Sequence, residues 1–374
     1  MQFIDLKKQY EVLKSGIDSR IQKVLNDGHY IGGEEIAELS KKLADYCGVK
    51  FCLTCANGTD ALTIALRCFG VGKGDAVFVP DFTFFASAET PVLEGATCIF
   101  VDVDERTFNL DAQKLDKAIA DVIAEGKLNP KCIIAVDLFG QCANHPEIRK
   151  VADKYKLPIL EDGAQGFGGS IDGKKACSFG DISTTSFFPA KPVGCYGDGG
   201  AIFTDNKEYY DMMCSLAVHG KGSYKYDNVR IGYNSRLDTV QAAILLEKLE
   251  AFQKYELRDR NIIASKYTDI LSGKFVTPHV PSGFESSWAQ YTLILKDSEE
   301  RVKIQNELKA NGIPSMIYYP IAMHNQTAFR NYNFNLNDLN ATSKLVDRVL
   351  SIPMHPYLTD AEIERICNIL LGTD

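Results

Sequence analysis

In the stretch SFFPAKPVGCYGDGG (186–200) a single lysine stands between an apolar run and a glycine-rich loop. Pro189 and Pro192 keep Lys191 out of a regular helix interior or a central strand. Phe187, Phe188 and Pro189 shield it, and desolvation disfavours the ammonium form of a lysine. A neutral amine is the nucleophile that forms an imine with an aldehyde. The glycines at 194, 197, 199 and 200 let the backbone wrap closely without side chains.

Two other stretches carry complementary chemistry. ILEDGAQGFG (159–168) ends an apolar strand with Glu161 and Asp162, where a carboxylate is costly unless paired or hydrogen-bonded. Either these carboxylates are satisfied by local amides, as in a cap, or one of them holds a cationic ring nitrogen. Gln165 follows one turn later. ANGTDAL (56–62) sets Gly58 and Thr59 at the start of an apolar-periodic helix, where free amides and the helix dipole favour a phosphate. The same junction also serves as a plain helix cap. A phosphate site, a buried carboxylate and a desolvated lysine are the three needs of pyridoxal phosphate. Phe84 offers a flat face to stack on its ring.

The elements around these stretches read as an α/β protein. DAVFVP (75–80), ATCIFVDV (96–103), KCIIAVDLFG (131–140) and LPILED (157–162) are expected strands, with helix-period runs between them. Such alternation predicts a mainly parallel sheet with helices on both faces, and ligands beyond the carboxyl ends of its strands. Residues 235–273 carry one long helical pattern leading to a smaller C-terminal α/β region. We expect a large domain over 1–245, with an N-terminal helical segment, and a small one over 246–374. The chain's 374 residues, 45% of them hydrophobic, suit this plan. A formal charge of −8 argues against a nucleic-acid surface. No signal peptide or membrane span is evident, which suggests a cytoplasmic protein. The spacing of CLTC (52–55) has no second pair, so core packing is expected there and no metal site.

Taken together, SFFPAKPVGCYGDGGAIFT, EDGAQ, NGTDAL and GYNSRLDTVQAAIL resemble the DegT/DnrJ/StrS family of nucleotide-sugar aminotransferases. The likeness runs from FIDLKKQY to LSIPMHPYLTDAEI. It implies a type I pyridoxal-phosphate transferase fold, like that of aspartate aminotransferase, working as a homodimer with shared active sites. By that resemblance Lys191 forms the imine, Asp162 faces the pyridinium and Gln165 lies beside the ring oxygen. Gly58, Thr59 and Ser186 contact the phosphate, and Asn234 reaches the phosphate of the partner's cofactor. L-glutamate is the implied donor, with pyridoxamine phosphate as the intermediate form of the cofactor. His219, Lys221, Tyr319, His324 and Gln326 lie in stretches that resemble substrate-side loops. Ser40 and Ala217 depart from residues common in relatives.

The resemblance is strongest to members that aminate C3 of a UDP-linked 2-acetamido-3-oxo hexose or hexuronate for surface polysaccharide or lipid A. Amination at C4 of a UDP- or dTDP-linked 4-keto-6-deoxy sugar is the main alternative. A pyridoxamine-dependent dehydratase is disfavoured by Lys191, because such relatives carry histidine there. A non-catalytic regulator has no need of the Lys191–Asp162 pair.

Overall fold

The structure, a computed structural model, describes residues 1–224, 226–330 and 339–373. Helices α1 (Leu6–Asp27) and α2 (Glu34–Cys47) precede the sheet. Strands β1 (Phe51–Cys55), β2 (Asp75–Pro80), β3 (Thr97–Val101), β4 (Asn129–Val136) and β5 (Ile159–Asp162) then alternate with α3 (Gly58–Cys68), α4 (Phe85–Leu93), α5 (Ala112–Glu125) and α6 (His145–Tyr155). Two-residue strands β6 (Ser170–Ile171) and β7 (Lys174–Lys175) lead to β8 (Ile182–Ser186), β9 (Gly200–Thr204) and α7 (Lys207–Ala217).

Seven strands form one sheet in the order β1-β9-β8-β5-β4-β2-β3. Only β9 runs against its neighbours β8 and β1; the other pairings are parallel. Successive strand residues point to opposite faces. Val77, Val79 and Ile134 pack with α3, α4 and α7 on one face, and Ala76, Phe78 and Ile133 pack with α5 and α6 on the other. Both faces are covered, as expected for a parallel sheet. The same alternation separates the two cysteines of CLTC. Cys52 joins the cluster under α2, and Cys55 joins the cluster around α3.

The long helical pattern becomes α8 (Thr239–Ala251), one π-helical turn (Phe252–Glu256) and α9 (Leu257–Leu271). The division expected at 245/246 falls inside α8. Leu245, Leu246, Leu249 and Phe252 all pack under α2 with the large sheet, so no break in packing occurs there. Beyond α9 come β10 (Phe284–Glu285), β11 (Tyr291–Ile294), α10 (Ser298–Ala310), α11 (Asn340–Arg348), β12 (Val349–Ile352) and α12 (Asp360–Leu371). β11 and β12 pair antiparallel over their own core, in which Tyr267, Tyr291 and Ile366 are fully buried. Among the described residues, no helix is long and apolar enough to cross a membrane.

Candidate active site

A cavity of about 420 Å³ opens beyond the carboxyl ends of β2, β4, β5 and β8. Its lining includes Gly58, Thr59, Phe84, Asp162, Gln165, Ser186, Lys191 and Tyr319. Stretches far apart in sequence therefore meet at one place.

The two carboxylates that close β5 are separated by the strand's alternation. Glu161 turns away from the cavity and accepts from the amides of Cys177 (2.5 Å), Phe179 (2.7 Å) and Gly180 (3.1 Å) and from Ser183 Oγ (2.7 Å). Hydrogen bonds to a charged group contribute about 1.5–3 kcal/mol each, enough together to offset a several-kcal/mol desolvation penalty. Glu161 is thus the carboxylate satisfied by local amides. His145 and Asp137 adjoin it, with His145 Nε2 2.8 Å from Asp137 Oδ1, and these three residues bring ligand-type atoms within 4.8 Å. Glu161's oxygens are already taken by four donors, so we read the group as a buried ion-pair network.

Asp162 faces the cavity and remains under-compensated. Its Oδ2 accepts from Ser87 Oγ at 2.7 Å and its Oδ1 from Ala164 N at 3.2 Å. Burial outweighs these bonds and raises its pKa above the ordinary carboxylate value. A cation opposite Asp162 would reverse that balance.

Lys191 follows β8 in a turn whose amide bonds to Phe188 O at 2.8 Å. Among the described residues its amine has no hydrogen bond or ion pair. Burial lowers its pKa, and the attraction of Asp162 opposes that shift only in part. The lysine is therefore poised toward the neutral, nucleophilic form.

The N-terminus of α3 lies against the end of β8. Asn57 caps the helix by accepting from Asp60 N at 2.7 Å, which leaves the first amides of α3 aimed outward. A methyl group on Gly58 would come 2.8 Å from Ser186 Cβ, and one on Gly200 would come 2.5 Å from Asn57 O. Only glycine permits so tight a cradle.

The opposite wall is built by Tyr318 and Tyr319, from the segment after α10. Tyr319 Oη accepts from Gln165 Nε2 at 3.0 Å, and Gln165 Oε1 accepts from Phe139 N at 2.9 Å. Gln165 is thereby fixed at the cavity edge. Phe84 is 52% exposed, with its ring 6.2 Å from that of Tyr319, so one face is open to the cavity.

The remaining expected residues lie elsewhere. His219, Lys221 and Asn234 are exposed on the 218–236 segment and do not line the cavity. Neither His324 nor Gln326 lines it, and His324 is bound to Asp81 instead. Sequence reasoning missed Ser87, Thr83, Tyr318 and Gln290. Thr83 and Ser87 are buried, their hydroxyls 3.1 Å apart across the start of α4. Two hydroxyls four residues apart in the apolar run TFFAS were the available signal. Nothing local in the sequence singles out Gln290.

The model of the DegT/DnrJ/EryC1/StrS aminotransferase family matches residues 12–371. A UDP-2-acetamido-2-deoxy-3-oxo-D-glucuronate aminotransferase from Pseudomonas aeruginosa is 46% identical over 99% of each chain. A UDP-N-acetyl-3-dehydro-alpha-D-glucosamine 3-aminotransferase from Acidithiobacillus ferrooxidans is 37% identical, over 99% of this chain and 97% of that one. Among solved structures, a DegT/DnrJ/EryC1/StrS aminotransferase from Brucella abortus superposes with a TM-score of 0.97 at 47% identity, covering 100% of this chain and 99% of that one. Solved structures of a sugar aminotransferase from Streptococcus pneumoniae, in its PLP and PMP forms, match this fold with a TM-score of 0.88 at 26% and 25% identity.

Proposed function

Because the chain belongs to the DegT/DnrJ/EryC1/StrS aminotransferase family, we propose that it moves an amino group from L-glutamate to C3 of a UDP-linked 2-acetamido-2-deoxy-3-oxo sugar. The observation that carries the choice of sugar is the 46% identity, over nearly the whole of both chains, to a relative named for a 3-oxo-glucuronate. The second relative is also named for a 3-keto UDP sugar. An amino sugar of this kind suits bacterial surface polysaccharide or lipid A.

Pyridoxal 5′-phosphate is the cofactor, and when bound it supplies an electron sink for a carbanion at the amino donor. The residues present fit it: a lysine with no hydrogen-bond partner among the described residues, an under-compensated buried carboxylate and a glycine cradle at a helix N-terminus share one cavity. Lys191 would hold it covalently, Asp162 would keep its ring nitrogen charged, and Gly58, Thr59 and Ser186 would take its phosphate. An unbonded Lys191 amine in this cavity would be the group placed to accept the proton that leaves the donor's α-carbon. Phe84 and Tyr319 line the same cavity with their rings 6.2 Å apart, and Phe84 would offer a flat face to the cofactor ring.

The reading includes a homodimer whose 218–236 arm reaches the partner's cavity with Asn234. Its support is the exposure of Tyr226 (81%) and Ile231 (83%) on that arm, an apolar surface that a partner would cover. The eleven cysteines are all unpaired, which favours a reducing, cytoplasmic home.

Gly58→Ala should weaken pyridoxal-phosphate binding about 10–100-fold, the cost of overpacking against Ser186. A dissociation constant within twofold of wild type would remove the cradle from the site. The function itself is tested by incubating the holoenzyme with glutamate and a panel of UDP 3-oxo, UDP 4-oxo and dTDP 4-oxo sugars. Product analysis by NMR should find a new amine at C3 of the UDP 3-oxo sugar. An amine only at C4 would overturn the choice of substrate.

A further inference from the structure

The stretch YYPIAMH, expected on the substrate side, is held in place by a contact at its far end. Asp81, the first residue after β2, is fully buried, and three polar contacts reach it from Met323 and His324. Met323 N donates to Asp81 O at 3.0 Å, and His324 N donates to Oδ1 at 2.9 Å. His324 Nδ1 lies 2.6 Å from Oδ2. Both carboxylate oxygens are therefore occupied by one residue, and the imidazole is almost as buried as its partner, with 9% of its side chain exposed.

This contact sits between the two walls of the cavity. Thr83 and Phe84, two and three residues after Asp81, line one wall. Tyr318 and Tyr319, a few residues before His324, line the other. At its near end the segment is pinned to the small sheet, where Met316 N donates to Ser351 O at 3.0 Å and Ser351 N to Met316 O at 2.8 Å. Between these anchors, the only side-chain hydrogen bond of the wall among the described residues is the one Tyr319 Oη accepts from Gln165 Nε2. Releasing His324 would free one end of a segment that has little regular structure of its own, and the conformational entropy of its backbone would favour detachment. Loss of the imidazole alone would leave Asp81 Oδ2 buried without its partner, at a further cost.

We propose that Asp81 and His324 form a clasp that sets the Tyr318–Tyr319 wall against Phe84, making both of them positioning residues for the amino-transfer reaction. On this view the imidazole of His324 serves the cavity through Asp81 and does not touch the sugar. The kinetic part of the proposal rests on the function proposed above, whereas the clasp itself does not.

The test compares His324→Ala with His324→Asn, whose amide N–H takes the place of Nδ1–H. In cofactor-free protein, hydrogen–deuterium exchange over residues 316–324 should be about tenfold faster in H324A and near wild type in H324N. In holoenzyme, H324A should raise KM for the nucleotide sugar about 5–20-fold with kcat within about threefold, and H324N should restore KM to within about twofold. Unchanged exchange in H324A overturns the clasp whatever the kinetics. Equal KM losses in both variants would assign the imidazole a direct substrate contact and overturn it too. Should the wild-type enzyme not act on UDP 3-oxo sugars, the proposed function fails and exchange alone decides the clasp.

Discussion

Lys191→Ala is expected to lower turnover at least about 10⁴-fold, the upper range for loss of a positioned proton carrier, while the protein still folds. The folded structure spends free energy to keep this amine where it is. It has no hydrogen bond among the described residues, and burial pushes its pKa down despite the pull of Asp162. Removing a group so poorly served costs the fold little, so the loss should fall on chemistry alone. The variant should still take up pyridoxamine phosphate, because the cradle at Gly58 and Ser186 is untouched. Single-turnover and steady-state assays on the loaded variant check this. Multiple turnovers above about one hundredth of the wild-type rate would remove Lys191 from its role.

Asp162→Asn should slow the reaction about 10²–10³-fold, the range seen when one preorganised electrostatic partner is lost. The substitution is nearly isosteric. Asn retains an oxygen for Ala164 N and presents an N–H to Ser87 Oγ, so the hydrogen-bonded frame survives. What is lost is the charge that would keep a ring nitrogen protonated. The same change has an opposite effect on cofactor-free stability. Burial raises the folded-state pKa of Asp162 above its unfolded value of about 3.8. Stability from this group is therefore full below that value and is lost as pH rises through the folded-state pKa. Above the folded-state pKa the wild type bears that whole cost and the amide does not. Cofactor-free D162N should melt about 1–3 °C higher than wild type at pH 7–8, with the gap closing below about pH 4. A lower melting temperature at pH 7 would mean that the carboxylate is compensated in the empty site.

The chemistry-bearing part of the site was legible because each piece is written locally. A lysine between prolines, acids closing an apolar strand and Asn-Gly-Thr before a helix all announce themselves within a few residues. The alternating strands and helices were legible for the same reason, since period 2 and period 3.6 are local signals. Which of Glu161 and Asp162 faces the cavity was not decided by composition. The pleat of β5 and the amides of residues 177–180 decided it. Long-range partners were hidden. Ser87 reaches Asp162 across 75 positions, and His324 reaches Asp81 across 243. The boundary expected at 245 lies within α8, whose apolar residues pack with the large sheet, and a helix does not show in sequence which core it joins.

One measurement bears most directly on the claim that this chain aminates C3 of a UDP sugar. Protein loaded with pyridoxamine phosphate, without glutamate, is mixed with a single equivalent of a UDP-linked 2-acetamido-3-oxo sugar, and the visible absorbance of the bound cofactor is followed. The account predicts one turnover's worth of conversion to the pyridoxal form and a matching amount of 3-amino sugar. It predicts none with 4-oxo sugars. Conversion with a 4-oxo sugar alone, or with no nucleotide sugar at all, would contradict it.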